Sequence, residues 1–400
     1  MKDISKKITA LLFLLVLFGL TAALLFNIES VVNGIRYQYQ QNTTSDSTLF
    51  ERINAGIDAI ETQLDQKNPL KNTFININGG FQRLVGKRVL EDADPQLKVH
   101  RLDNGQLTFT VDPTETDWKS KNLANLSDWC AEKDIPLLYV QAPFKIDPSA
   151  SSLPSGTTDN TNRNADALLA DLKQQGVNYL DLRKVIKDQN IDHASLFYKT
   201  DSHWTTQGAF FAYQSICKTL EAQYGFAIDD AVTDAQNFSS TIYEDIFLGS
   251  QGKRVGALYA GVDDVEVLLP KFETNLRYQV PNHSFDKQGS FDETVMDYAH
   301  VKEIDYFEKS PYYVYSGGDY PLSHITNLNN PGGKKILLVR DSFSCAVAPF
   351  LSLAVGQVDT FDLRYNDTPL KDYITKSNPD IVLFLYNPGV IRDDVMFEYE

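Results

Sequence analysis

Short apolar segments alternate with segments of helical periodicity over most of this 400-residue sequence. The apolar segments include "IPLLYVQAP", "VNYLDL", "KKILLV", "VDTFDL" and "DIVLFLYN". Between them lie stretches typical of helices, such as "TTQGAFFAYQSICKTLEAQYG" and "FSCAVAPFLSLAV". Strands that are apolar throughout are buried on both faces, as in a mostly parallel sheet covered by helices. The pattern therefore predicts an α/β domain over residues 117–400.

This alternation is interrupted between Gly225 and Lys334. The interrupting stretch is rich in Tyr, Asp, Gly and Pro and holds short alternating pieces such as "DVEVLLP" and "NLRYQV". A loop of that length without secondary structure is implausible inside a domain. We therefore predict a β-rich insertion, or lid subdomain, over residues 226–333.

The N-terminus carries an apolar run of 19 residues without a charge, Ile8 to Phe26, preceded by Lys2, Lys6 and Lys7. As a helix this run is about 28 Å long, close to the thickness of a bilayer core of about 30 Å. The lysines place the N-terminus in the cytoplasm. We predict a transmembrane signal anchor over residues 1–30 and a single-pass protein of the cell membrane with an extracytoplasmic domain. A cleaved signal peptide is the alternative, and export follows from both.

Residues 31–116 are predicted to form a stalk and a β-hairpin. A polar spacer, "QYQQNTTSDSTLF", leads into "FERINAGIDAIETQLDQ", whose apolar residues have helical spacing. The later stretch "VHRLDNGQLTFTV" alternates apolar residues around Asn104-Gly105, a strong hairpin signal.

Composition narrows the classes of partner. A hydrophobic content of 42% with 12% aromatic residues is ample for a packed core. The formal net charge of −16 repels phosphate backbones and argues against nucleic-acid binding. The three cysteines lack metal-binding spacing, and we expect them to be small buried residues. We predict neither a cofactor nor a metal ion.

Ser342 lies where the apolar strand "KKILLV" passes into a helix. At such a junction the hydroxyl projects above the carboxyl edge of the sheet, beside the free N–H groups of the helix. The position suits a nucleophile next to an oxyanion site. It also suits a helix N-cap, and the stretch alone does not separate the two roles.

A serine nucleophile needs an imidazole base, and the base needs a carboxylate to orient it. Asp201 and His203, in "YKTDSHWTTQGAFF", are spaced so that the carboxylate can reach the imidazole. Trp204 can pack over this turn and hold it. A surface turn is one alternative, and a metal site formed with His193 is another.

Together these segments resemble the alginate O-acetyltransferase AlgJ/AlgX-type family and the related DHHW proteins, which carry an SGNH-hydrolase-like domain. The resemblance rests on "YKTDSHWTTQGAFF" and "KKILLVRDSFS", supported by "FININGGFQRLVGKRVL", "LDNGQLTF", "YVQAPFKID", "FDLRY" and "LFLYN". It implies that Asp201, His203 and Ser342 form a catalytic triad on a circularly permuted sheet. It also implies a multispanning membrane O-acyltransferase (MBOAT-type) that supplies the acyl group. Arg340 departs from the usual glycine, which bears on the oxyanion geometry.

Three further residues follow strands at their carboxyl ends and are candidates for substrate or oxyanion binding: Arg364, Tyr386 and Asn387. The alternatives are a structural ion pair for Arg364 and packing at the site's rim for Tyr386. Lys145 has a similar position, and we expect it to be solvated.

The sequence thus predicts a membrane-anchored O-acetyltransferase that modifies a cell-surface polysaccharide through an acyl-enzyme. A carbohydrate acetylesterase with the same triad remains an alternative, as does a non-catalytic glycan-binding or scaffold protein.

Overall fold

The computed structural model describes residues 28–44, 47–66, 70–91, 97–147 and 153–399, together with residues 11, 14 and 18. The chain divides into two compact units, Met1–Phe81 and Gln82–Glu400.

The first unit contains the helices Ile28–Gln41 and Leu49–Gln66 and most of the helix Lys71–Leu84. The helix predicted from the apolar spacing is confirmed as Leu49–Gln66. The predicted spacer is partly helical, because Ile28–Gln41 runs through its first residues. The first two helices pack against each other, with Val31 and Ala59 buried.

The predicted anchor, residues 1–30, lies almost entirely outside the described residues. Among the helices that are described, none has both the length and the apolar composition required to span a bilayer. The anchor therefore stays a prediction.

The described residues of the second unit form thirteen strands. They are β1 (Val89–Glu91), β2 (Lys98–Arg101), β3 (Leu107–Thr108), β4 (Leu137–Gln141), β5 (Tyr179–Asp181), β6 (Phe238–Phe247), β7 (Asp263–Pro270), β8 (Leu276–Val280), β9 (Phe285–Gly289), β10 (Leu322–Asn327), β11 (Lys335–Arg340), β12 (Gln357–Phe361) and β13 (Ile381–Tyr386). Eight of them form the central sheet, in the order β5-β4-β13-β11-β12-β10-β8-β9.

Helices cover both faces of this sheet. Successive strand residues point to opposite faces, so along β11 Leu337 and Val339 enter one core while Ile336 and Leu338 enter the other. The core that contains Ile336 is covered by Leu182–Asp188, Thr206–Tyr224 and Ser344–Ala354. The opposite core is covered by Asp117–Ala131, Thr161–Gln174 and Leu370–Ser377. Shorter helices are Asp230–Thr233, Ser250–Val255, Ala257–Ala260 and Phe291–Thr294.

The sheet is mixed rather than mostly parallel. Strands β5, β4, β13, β11 and β12 pair in parallel, whereas β10, β8 and β9 continue the sheet antiparallel. These three antiparallel strands come from the predicted insertion, and they add to the edge at β12. The other two strands of the insertion, β6 and β7, form a separate two-stranded sheet. The insertion is therefore β-rich, but much of it extends the central sheet instead of forming a separate lid.

Strand β11 lies at a reversal of the strand order. The chain leaves β11 for β12 on one side and later returns to β13 on the other side. Ligands of open α/β sheets bind beyond the carboxyl ends of the strands at such a switch point. Ser342 follows β11 at this place.

The hairpin predicted around Asn104-Gly105 is confirmed as β2 and β3, with His100 opposite Thr108. Gly105 has a φ of 87°, a conformation that glycine adopts without strain. The three cysteines are free and buried, as expected.

Asp359 forms buried ion pairs whose contribution to the stability of the fold can be measured. Its buried carboxylate in β12 lies 2.8 Å from both His324 Nδ1 and Lys335 Nζ and accepts a hydrogen bond from the Tyr373 hydroxyl. Burial raises its pKa, but His324 and Lys335 outweigh burial and lower it to about 2. The unfolded carboxyl binds its proton near pH 4. Stability from Asp359 is therefore present above about pH 4 and is lost as the pH falls towards 2.

We expect Asp359→Asn to lower the free energy of unfolding at pH 7 by about 3–5 kcal/mol, because His324 and Lys335 lose their buried counter-charge. Chemical denaturation at pH 7 and pH 3 measures this. The variant should lose less stability than the wild type between the two pH values. Equal losses would contradict the assignment.

Candidate active site

Asp201, His203 and Ser342 lie in one hydrogen-bonded line. Nε2 of His203 is 2.8 Å from Oγ of Ser342, and Nδ1 of His203 is 2.5 Å from Oδ1 of Asp201. In the neutral tautomer with the proton on Nδ1, the ring donates to the carboxylate and its Nε2 accepts from the hydroxyl. This geometry is that of a nucleophile, a base and the group that orients the base.

The turn after β11 leaves the Ser342 hydroxyl free for His203. Oδ1 of Asp341 accepts from the N–H of Phe343 at 2.8 Å, and the Asp341 carbonyl accepts from the N–H of Ser344. The N–H and the side-chain amide of Asn387 both donate to Oδ2 of Asp341. Asp341 therefore accepts from the N–H groups of Phe343 and Ser344, and the side chain of Ser342 does not cap this turn. Burial raises the pKa of Asp341 in spite of these donors.

The carboxylate of Asp201 is buried and receives several donors. Oδ2 accepts from the N–H of Ser250 at 2.6 Å, and Oδ1 accepts from the N–H of His203 at 2.9 Å in addition to the imidazole. Burial alone would raise the pKa of Asp201, but the imidazole and the backbone donors outweigh it and hold the pKa well below its usual range. The carboxylate is thus ionised at neutral pH and can stabilise an imidazolium.

A second carboxylate fixes the backbone that leads to Asp201. Asp263, at the start of β7, accepts from the N–H groups of Lys199 and Thr200 and from the Thr200 hydroxyl. The same hydroxyl accepts from the N–H of Gly249. The insertion therefore supports the Asp201 turn, and no local pattern in the sequence indicates this contact.

Aromatic side chains hold the imidazole. The ring of Tyr312 stacks on His203 with a centroid distance of 3.9 Å, and its hydroxyl donates to the carbonyls of Ser342 and Phe343. Trp204 is buried and donates through Nε1 to the Phe343 carbonyl at 2.9 Å. Trp204 thus contacts Phe343, beside Ser342, and its expected packing over the Asp201 turn stays a prediction. Tyr312 was missed, because one tyrosine in a tyrosine-rich insertion carries no local pattern.

The three residues proposed to bind the substrate or the oxyanion have other hydrogen-bond partners in the structure. Arg364 is paired with the Asp362 carboxylate at 3.0 and 2.6 Å, the arrangement of a structural ion pair. Tyr386 is fully buried, and its hydroxyl donates to the Met396 carbonyl, so it does not reach Ser342. Asn387 lies beside the turn but directs its donors at Asp341.

Arg340, the departure from the family pattern, is turned away from the turn's N–H groups. Its guanidinium is buried and binds the Asp319 carboxylate and the Tyr320 carbonyl. It thereby ties the end of β11 to the segment that follows Tyr312.

One expectation, a solvated Lys145, and one alternative, a metal site with His193, need correction. Lys145 is not solvated: its side chain is 1 % exposed. His193 does not join Asp201 and His203 in a metal site, because its Nε2 lies 2.7 Å from the Phe144 carbonyl oxygen. Within the described part of the chain, no group of three His, Cys, Asp or Glu residues is arranged to hold a metal ion.

Part of the chain that contributes to this site matches a known protein family. Residues 111–245 match the family model described as "SGNH hydrolase-like domain, acetyltransferase AlgX". The resemblance to AlgX-type acetyltransferases is confirmed. The matched segment is about a third of the chain and contains Asp201 and His203, while Ser342 lies beyond it. The class predicted from the sequence, an SGNH-like acetyltransferase, is that of the matched family. No curated protein sequence matches the chain.

Solved structures agree on the fold. Bacillus cereus PatB1 is similar at a TM-score of 0.63 and 23% identity, over 78% of this chain and 99% of that one. PatB1 with a sulfonyl adduct is similar at 0.61 and 21% identity over the same shares. A DHHW family protein from Eubacterium siraeum gives 0.54 and 16%, over 77% of this chain and 96% of its own. At these identities the likeness shows the fold.

Gly249 tests the packing behind Asp201. Its φ of −72° and ψ of −178° suit any residue, but an added Cβ would lie 2.2 Å from Cβ of Asp201. We expect Gly249→Ala to displace the carboxylate and to lower the rate of Ser342 modification by a sulfonyl fluoride about 10–100-fold. The matched control is Gly332→Ala, because a Cβ there meets nothing within 4 Å. Equal rates in the two variants would contradict the close packing.

Tyr312 tests the support of the imidazole. Tyr312→Phe keeps the ring over His203 and loses the two hydrogen bonds, so we expect the modification rate of Ser342 to fall only a few-fold. Tyr312→Ala removes the stacked ring as well, and we expect a loss of at least 10-fold. A Phe variant as impaired as the Ala variant would assign the effect to the hydroxyl instead of the stack.

Proposed function

We propose that this protein is an extracytoplasmic O-acetyltransferase that acetylates a cell-surface polysaccharide through Ser342, His203 and Asp201. The observation that carries the proposal is the continuous hydrogen-bonded line from the Asp201 carboxylate through His203 to the Ser342 hydroxyl. The partial exposure of Ser342 supports access by substrate. The match of residues 111–245 to an acetyltransferase domain supports the reaction class.

Acetyl transfer proceeds in two halves. In the first, Nε2 of His203 takes the proton of Ser342 as Oγ attacks the acetyl carbonyl of the donor, and the imidazolium then protonates the leaving group. In the second, a sugar hydroxyl attacks the acetyl-Ser342 ester and gives its proton to His203. The ester bond to Oγ breaks, and Ser342 recovers its proton. Asp201 stabilises the imidazolium in both halves.

The oxyanion that forms when Ser342 attacks the acetyl carbonyl requires a hydrogen-bond donor near the Ser342 turn. The N–H groups of Phe343 and Ser344 are directed at Asp341. We therefore assign the backbone N–H of Ser342 as the oxyanion donor in place of the side chains of Arg364 and Tyr386. A backbone donor is fixed by the turn and requires no reorganisation during the reaction.

We also propose a location for the protein in the cell. The charge-free run Ile8–Phe26 and the lysines before it support a single-pass anchor with the catalytic domain outside the cell membrane. An extracytoplasmic transferase needs a supply of acetyl groups from across the membrane. We propose that a multispanning MBOAT-type acyltransferase delivers them, as the family resemblance implies.

The reaction is tested with the part of the chain after residue 30, an acetyl-ester chromophore, and neutral oligosaccharides as acceptors. We expect the oligosaccharide to gain the mass of one acetyl group. Ser342→Ala and His203→Ala should lower turnover by about 10³-fold or more, because each removes a member of one catalytic unit. Asp201→Asn should lower it strongly as well by favouring the wrong imidazole tautomer.

The outcomes separate the candidate functions. Acetate release at the same rate with and without oligosaccharide would identify an acetylesterase. PatB1 has been obtained with a sulfonyl adduct, and we expect a sulfonyl fluoride to label Ser342 of this chain. Absence of both turnover and Ser342 labelling would overturn the enzymatic proposal and favour a scaffold protein.

A further inference from the structure

Lys145 is a fully buried lysine directly beneath the Asp201 turn. It lies in the segment after β4, and its side chain is 1 % exposed. Its Nζ donates to the Leu107 carbonyl at 2.7 Å and to the Asp201 carbonyl. Both acceptors are neutral. Among the described residues, no carboxylate forms an ion pair with this ammonium group.

Such burial is unfavourable for the charged form. Burial lowers the pKa of Lys145 to about 8, although the nearby carboxylates of Asp201 and Asp263 act in the opposite direction. An unpaired buried lysine brings less stability than an apolar side chain of its size would. The contribution of this side chain is therefore sought in the hydrogen bonds of its amine and not in its packing.

The contacts of Lys145 indicate that role. Leu107 belongs to β3, and its N–H donates to the carbonyl of Lys199, just before the Asp201 turn. Lys145 therefore links β3 of the hairpin to the Asp201 turn through its two hydrogen bonds. The side chain of Asp201 is held by Ser250 and its main chain is held by Lys145, so the residue is fixed at both ends.

We propose that Lys145 is a positioning residue that holds the main chain of Asp201 so that its carboxylate stays aligned with His203. This inference rests on the proposed function, because its effect on turnover requires the triad to be catalytic. Lys145 touches no reacting atom and acts through Asp201.

Lys119 provides a control for loss of a buried lysine. It is also buried at 1 % exposure and also donates to a backbone carbonyl, that of Ile391. It differs in forming an ion pair with Asp394 at 2.7 Å, and it contacts no part of the triad turn. We expect Lys145→Met to lower kcat for the acetyl ester about 10–100-fold with KM unchanged. Lys119→Met should leave kcat within about 2-fold even where it lowers the melting temperature. Equal kcat values in the two variants would overturn the proposal.

The pH profile separates positioning by the charged group from simple space-filling. The carboxylates of Asp201 and Asp263 are the charged groups that face Lys145. As the pH rises through about 8, Lys145 loses its proton and its bonds to the two carbonyls lose their charge assistance. We expect wild-type kcat to fall a few-fold between pH 7 and pH 9.5, and Lys145→Arg to flatten this alkaline decline. An unchanged decline in the arginine variant would count against the charge.

If the protein shows no turnover, the role of Lys145 can be tested by a measurement that needs no substrate. The proton on Nδ1 of His203, shared with Asp201, should give a low-field proton resonance in the resting protein. We expect Lys145→Met to shift or broaden this resonance and Lys119→Met to leave it unchanged. A wild type without turnover would refute the proposed function, while this comparison would still show whether Lys145 aligns Asp201. An identical resonance in all three proteins would refute the role of Lys145.

Discussion

The hydrogen bond between Nδ1 of His203 and the Asp201 carboxylate is the interaction on which the site depends, because it sets the ring position and leaves Nε2 to face Ser342. Two residues of one short turn make this bond, but elements far apart in the chain hold it in place. Ser250 and Asp263 come from the insertion, and Lys145 comes from the segment after β4. The site therefore forms only when the folded domain closes around the turn.

The parts of the site with a local sequence signature could be predicted. Ser342 follows an apolar strand and precedes a helix, and Asp201 and His203 lie two residues apart before a helix, so each pattern is visible in a few residues. The residues that support them lack such a signature. Tyr312 and Asp263 act through contacts that only the tertiary structure creates. Their roles could not be inferred from neighbours in the chain.

Two of the candidate residues that follow strands have partners away from Ser342 in the structure. A strand that ends at the carboxyl edge of a sheet places its last residue at that edge, but the two-residue period of side-chain direction decides which way the side chain points. Tyr386 ends β13 at the right edge and still points into the apolar core. Arg364 lies two residues after Asp362 and pairs with it. The antiparallel strands β8 to β10 extend the central sheet instead of forming the expected lid. The sequence predicts that this segment is β-rich but does not indicate with which strand it pairs.

The position of β13 has a consequence for how the chain folds. Ile381–Tyr386 follows the other described strands of the sheet in the sequence, but it lies in the middle of the sheet, between β4 and β11. Until it is synthesised, the half of the sheet that leads to His203 and the half that ends at Ser342 have no strand to join them. Pairing across so many residues is slow, because loop-closure entropy opposes it. The turn with Asp201 and His203 and the turn with Ser342 are therefore joined through the sheet only after β13 has paired with both β4 and β11.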